Sequence, residues 1–133
     1  MKNKALLFLS ILMILILTAC SNNTKVYSLD NITQRFEDAE LHLKPQAEDN
    51  YPEILNVKPS VYELLDDSLY IYVYESEEQR IEASKELNVE QLFNAPSYVY
   101  QTGNVLLIYI SLSAPEDNYN KQIEDIVYAR YRT

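Results

Sequence analysis

Apolar residues are distributed along this chain in two ways, with a polar stretch between them. Residues 5–17, "ALLFLSILMILIL", form a thirteen-residue run, apolar except for Ser10, behind Lys2 and Lys4. The run is short for a spanning helix, which needs roughly 20 apolar residues to cross about 30 Å of hydrocarbon. A basic start, an apolar middle and small residues directly after it are the parts of a signal peptide. Residues 21–28, "SNNTKVYS", are small and polar, the composition of a flexible tether. Beyond them apolar positions recur with the periods of helix and strand.

Ile32, Phe36 and Ala39 fall on one face of a helix predicted over residues 32–40, with Asn31 as N-cap and Gln34 at capping-box spacing. "LHLK", residues 41–44, alternates as a half-buried strand does. Residues 45–59 contain three prolines and no clean period, which predicts a loop tucking Ile54, Leu55 and Val57 against the core. "VYELL" and "SLYIYVYE" then read as two strands around an Asp66-Asp67 hairpin turn, because Asp accepts turn geometry and bonds its own backbone. "SEEQ", residues 76–79, is a capping box that starts a helix running to about residue 87, with Glu77 and Glu78 at the positive end of its dipole. After a loop over residues 94–97, "YVYQ" and "VLLIYISL" form a second hairpin turning at Gly103-Asn104, around the only glycine in the chain. The last helix is predicted to open at "SAPE", residues 113–116, with Pro115 in its first turn. Tyr119, Ile123, Ile126 and Val127 form its apolar face, Glu116 and Asp117 stand at its start, and Arg130 and Arg132 at its end.

The order α-β-β-β-α-β-β-α implies an α+β domain, an antiparallel-rich sheet of about five strands with helices packed on one face. At 133 residues there is room for one such domain. Residues 1–19 are read as a removable leader, residues 20–28 as the modified cysteine and tether, and residues 29–133 as the folded unit.

The lone cysteine decides the address. Leu17-Thr18-Ala19-Cys20 resembles the lipobox of bacterial lipoprotein precursors: Leu three places before the cysteine, then small residues, behind a basic and apolar start. The resemblance covers the first 20 residues or so and implies that Cys20 receives a diacylglyceryl group, that residues 1–19 are cleaved off, and that Cys20 becomes the N-terminus. Two acyl chains anchor where one binds only marginally, since each buried methylene contributes about 0.8 kcal/mol. The implied location is the extracytoplasmic face of the bacterial cell membrane, and the implied first partner is that membrane. No family is recognised for the folded domain.

Charge narrows the remaining partners. Loss of residues 1–19 removes two lysines and moves the formal charge from −9 to −11 over 114 residues. Phosphate backbones and anionic headgroups repel such a surface, so nucleic acid is excluded as a partner, and an envelope protein or a cell-wall component is expected. With Cys20 acylated no thiol remains, so no disulfide is expected.

Chemistry-bearing residues are few. One glycine cannot build a nucleophile elbow, a phosphate-cradling loop or a dinucleotide fingerprint, and no cofactor is expected. His42 is the only histidine, on the polar side of "LHLK"; without a second histidine or a thiol it predicts no metal site. Asp66 and Asp67, and Glu116 and Asp117, suit turn and N-cap chemistry. A carboxylate pair working as in glycosidases is the remaining enzyme class, and an enzyme is not the expectation. Twelve tyrosines and no tryptophan are the unusual feature. Strand alternation puts Tyr70, Tyr72 and Tyr74 on one face, and pairing with the "YVY" strand would set Tyr98 and Tyr100 beside them. Two readings compete: an exposed aromatic platform that binds a sugar, peptide or protein, or cross-strand aromatic pairs that only stabilise the sheet. The platform supports a non-catalytic interaction module; a small-ligand or cell-wall-component binder, with a pocket between sheet and helices, is the alternative.

Overall fold

The computed structural model describes residues 25–47, 51–112, 114 and 119–129. Its elements are α1 (Leu29–Asp38), β1 (Lys44–Pro45), β2 (Ser60–Leu64), β3 (Asp67–Val73), α2 (Glu77–Glu86), α3 (Val89–Phe93), β4 (Ser97–Thr102), β5 (Val105–Ile110) and α4 (Asn120–Tyr128). The five strands make one sheet, β1-β2-β3-β5-β4, antiparallel throughout. The fold is α+β, in the expected order apart from the extra short helix α3. Among the described residues no helix is long and apolar enough to cross a membrane.

Helices cover both faces of the sheet, which corrects the expectation of one. On the first face Leu69, Ile71, Val105, Leu107 and Tyr109 pack against Ile32 and Phe36 of α1 and Ile123, Ile126 and Val127 of α4. On the second, Tyr72, Tyr74, Leu106, Ile108 and Ile110 lie under Ala83 of α2, Val89 and Phe93 of α3, and Ile54 of the preceding loop. Alternation alone predicts two faces of unequal polarity. Here β5, "VLLIYI", is buried at all six positions, the signature of a strand covered on both sides.

Local chemistry shifts several boundaries. Ser28 rather than Asn31 caps α1: its Oγ accepts from the Asn31 backbone N–H at 3.2 Å, and the Asn31 side chain accepts in return from the Ser28 N–H at 3.1 Å. The helix therefore starts one turn early, while Ile32 and Phe36 face the core as their spacing requires. Strand β1 is two residues long, Lys44–Pro45, rather than the four residues 41–44 expected from alternation. The first hairpin turns at Leu65-Asp66, since Leu64 pairs with Asp67, and Asp67 is the first residue of β3. Ser76 caps α2 through the Gln79 N–H, as expected. The predicted cap of the last helix at residues 113–116 lies, except for Ala114, outside the described residues.

Candidate functional site

The structure separates the five tyrosines of the expected platform. Strand β5 lies between β3 and β4, so Tyr98 and Tyr100 are not neighbours of the β3 tyrosines. They also belong to the opposite face, in the α1/α4 layer, whereas Tyr70, Tyr72 and Tyr74 belong to the α2/α3 layer. Tyr72, Tyr74 and Tyr100 are 0, 2 and 4 % exposed. The Tyr72 hydroxyl donates to the Pro52 carbonyl at 2.8 Å, that of Tyr74 to the Ile54 carbonyl at 3.3 Å, and that of Tyr100 to the Asn120 carbonyl at 3.2 Å. Tyr70 is half-buried between Tyr51 and Phe93, with ring centroids 5.5 and 4.8 Å away. Tyr98 stacks on Tyr109 at 5.8 Å. The rings act as core side chains whose polar tips fasten loop 51–58 and α4 to the sheet. Burial accordingly raises the hydroxyl pKa values of Tyr72 and Tyr100 strongly and that of Tyr74 to about 12.

A second group of residues holds the start of the folded body, and sequence pattern did not single it out as a site. Asn104, 1 % exposed, accepts from the Tyr27 N–H at 2.6 Å and donates through Nδ2 to the Tyr27 carbonyl at 3.0 Å and the Tyr74 carbonyl at 2.7 Å. The amide thus bonds across two segments far apart in sequence. Gly103 is what lets the segment approach: a Cβ there would sit 2.3 Å from the Lys25 carbonyl oxygen and 3.0 Å from the Tyr27 ring, and its φ is +50°. The Arg35 guanidinium closes the other side, 4.5 Å from the Tyr27 ring centroid, and donates to the Val127 carbonyl at 3.2 Å. Of the stretch read as tether, Tyr27 and Ser28 are therefore part of the folded body. Beneath the same turn Arg80 ties α2 to the hairpin, donating to the Gly103 carbonyl at 3.0 Å, the Gln101 Oε1 at 2.6 Å and the Glu77 carboxylate at 3.0 Å.

At the far end of β3 the buried Asp67 accepts from the Tyr109 hydroxyl and from the Leu112 N–H at 2.8 Å, and Tyr109 in turn accepts from the Tyr119 N–H at 3.0 Å. Burial and this carboxylate raise the Tyr109 pKa. The arrangement locks the entry to α4. His42 is exposed, its Nδ1 2.9 Å from Glu37. Among the described residues no three His, Cys, Asp or Glu side chains gather to hold a metal ion. A cleft of about 340 Å³ opens between α1 and α4, lined by Arg35, Asp38, Ala39, Asp125, Ile126 and Ala129. Cys20 lies outside the described residues.

Comparison with known proteins finds no matching family model, no matching curated protein and no matching solved structure.

Proposed function

We propose that the chain is a lipid-anchored lipoprotein, held by its diacylglyceryl-modified Cys20 on the extracytoplasmic face of a bacterial cell membrane, and that it works there as a non-catalytic interaction module contacting an envelope protein or cell-wall component. The observation that carries this reading is the clamp on the chain leaving Cys20. Tyr27, seven residues on, is bonded by Asn104 through both its N–H and its carbonyl. Seven residues reach about 23 to 25 Å when extended. A pull from the anchor enters the body at the β4–β5 turn and is shared with β3 through the Tyr74 carbonyl. The clamp thus supports a domain kept close to the bilayer with its anchored end fixed. The test is Cys20→Ser in cells fed a tagged fatty acid: the label and membrane retention are lost, and a labelled mutant would refute the assignment.

A small-ligand role is the second reading, supported by the α1–α4 cleft, whose size is at the lower limit of ligand pockets. Ala39→Phe would obstruct that cleft without touching the sheet; unchanged retention of cell-wall fragments by this variant would count against the reading.

A further inference from the structure

The two edges of the sheet are built differently. At β1, Lys44 and Gln46 face β2, as the Lys44↔Glu63 register and the 2.9 Å bond from the Gln46 N–H to the Val61 carbonyl show. The outward position between them is Pro45, which has no N–H to offer. A short edge with Lys and an outward Pro is a recognised block to strand addition. At β4, Tyr98, Tyr100 and Thr102 face β5, and Ser97, Val99 and Gln101 point their backbone groups away from the sheet. This follows from the two-residue Gly103-Asn104 turn, from the bond of the Ser111 N–H to the Pro96 carbonyl at 3.1 Å, and from the Gln101 N–H, which bonds outward to the Tyr128 hydroxyl at 3.3 Å. The Val99 N–H and carbonyl have no such cap among the described residues. The strand is six residues long, "SYVYQT", with neither charge nor proline.

We infer that the outer edge of β4 is a docking site for an extended, lysine- or arginine-bearing segment of another protein, added as a sixth strand at Val99. This rests on, and deepens, the interaction-module reading. Backbone bonding supplies the affinity in such strand addition, and charge selects the occupant. The chain carries −9, or −11 once residues 1–19 are removed, and β4 itself brings no positive charge. A second copy would bring the same net negative charge; a basic segment meets it with opposite sign.

The test uses the full mature chain in neutral detergent micelles and two synthetic heptapeptides of alternating Thr and Val, one with Lys at both ends and one with Glu. Expected are slowed amide exchange at Val99 on adding the Lys peptide and at least tenfold weaker binding of the Glu peptide at low salt. At least tenfold loss of Lys-peptide binding is expected in Val99→Pro and in Ser97→Pro, with Val99→Thr retaining it. Each proline falls at an outward position, so the β4–β5 ladder keeps its donors, and circular dichroism verifies the fold. Tyr128→Phe frees the Gln101 N–H and tightens binding about two- to fivefold. Equal binding by the proline variants, or no protection of Val99, overturns the inference. Sedimentation showing a dimer that Val99→Pro dissolves overturns the basic-segment assignment in favour of a second copy. A photocrosslinker placed on intact cells at Ser97 and, separately, at Leu65 separates the two claims: adducts at Leu65 alone reject the edge and keep the module, and adducts at neither reject both.

Discussion

Asn104→Asp is the most informative single substitution, because it keeps shape and acceptor while removing both donors. The Tyr27 and Tyr74 carbonyls, now 3.0 and 2.7 Å from a donating amide, would face a carboxylate oxygen instead. Leaving a buried acceptor unpaired costs about 1 to 3 kcal/mol, so the pair costs about 2 to 6 kcal/mol before the buried charge is counted. A domain of this size has about 5 to 15 kcal/mol in total. The introduced carboxyl sits among carbonyl oxygens out of water, so its folded pKa lies above the unfolded value of about 3.9. The folded state then holds the proton longer, and stability falls as pH rises through about 4. Urea unfolding followed by tyrosine fluorescence should show a loss of about 4 kcal/mol near neutral pH and a smaller one near pH 3, where the protonated carboxyl restores one donor. A variant within about 1 kcal/mol of wild type at neutral pH, or one more damaged in acid, would refute the clamp. Exchange at the Tyr27 amide identifies any part of the loss that is local release of the segment.

Gly103 and Leu65 occupy hairpin turns with positive φ, +50° and +55°, so substitutions there should have opposite signs: Gly103→Ala loses about 2 to 4 kcal/mol through strain and collision with Lys25, whereas Leu65→Gly gains up to about 1 kcal/mol in thermal unfolding. Tyr109→Phe removes the hydroxyl bonded to Asp67 and to the Tyr119 N–H; a loss of about 2 to 4 kcal/mol and faster exchange at the start of α4 are expected. Burial raises the pKa values of Tyr72, Tyr74, Tyr100 and Tyr109 above their ordinary 10. The unfolded chain releases those protons first, so stability should be level to about pH 9 and then fall by up to about 1.4 kcal/mol per pH unit for each tyrosine. Tyrosinate absorbance should accordingly rise in a late, cooperative step with unfolding; uniform titration of all twelve near pH 10 in an intact fold would contradict their burial.

Where local rules were strong, the sequence was readable. The Ser76 cap, the turn at the single glycine, the Ile32–Phe36 face of α1 and the Ile123, Ile126 and Val127 face of α4 each depend on residues close together, and the structure bears them out; Ala39, expected on the same face of α1, lies past the helix end and is exposed. Of the two readings of the tyrosines, packing within the sheet holds, as in the cross-strand stack of Tyr98 on Tyr109, and the exposed platform fails, because strand alternation shows which side chains share a face but not what covers it. The cover on the second face comes from α2, whose buried residues are Ala83 and Arg80, and from a loop with proline and turn residues. Neither has an apolar period. The unbroken apolar run of β5 was the available signal of two covered faces. Asp66 and Asp67 are indistinguishable in sequence, and only pairing with Leu64 assigns one to the turn and the other to the interior. Helix α3 is five residues long, too short for periodicity to register. The clamp required knowing that Tyr27 passes over Gly103, a contact across 76 residues of chain. The open edge at β4 needed the strand order, since outward and inward positions have meaning only once β5 is known to be its sole strand neighbour among the described residues.

The proposed cleavage before Cys20 and its acylation, seven residues before the Tyr27 clamp, underlie the whole functional reading. Mass spectrometry of the N-terminal peptide of the membrane-isolated protein tests it most directly. Expected is a peptide beginning at Cys20 and carrying a diacylglyceryl thioether; a peptide retaining residues from the first nineteen, or beginning at Cys20 with a free thiol, would overturn the anchor assignment.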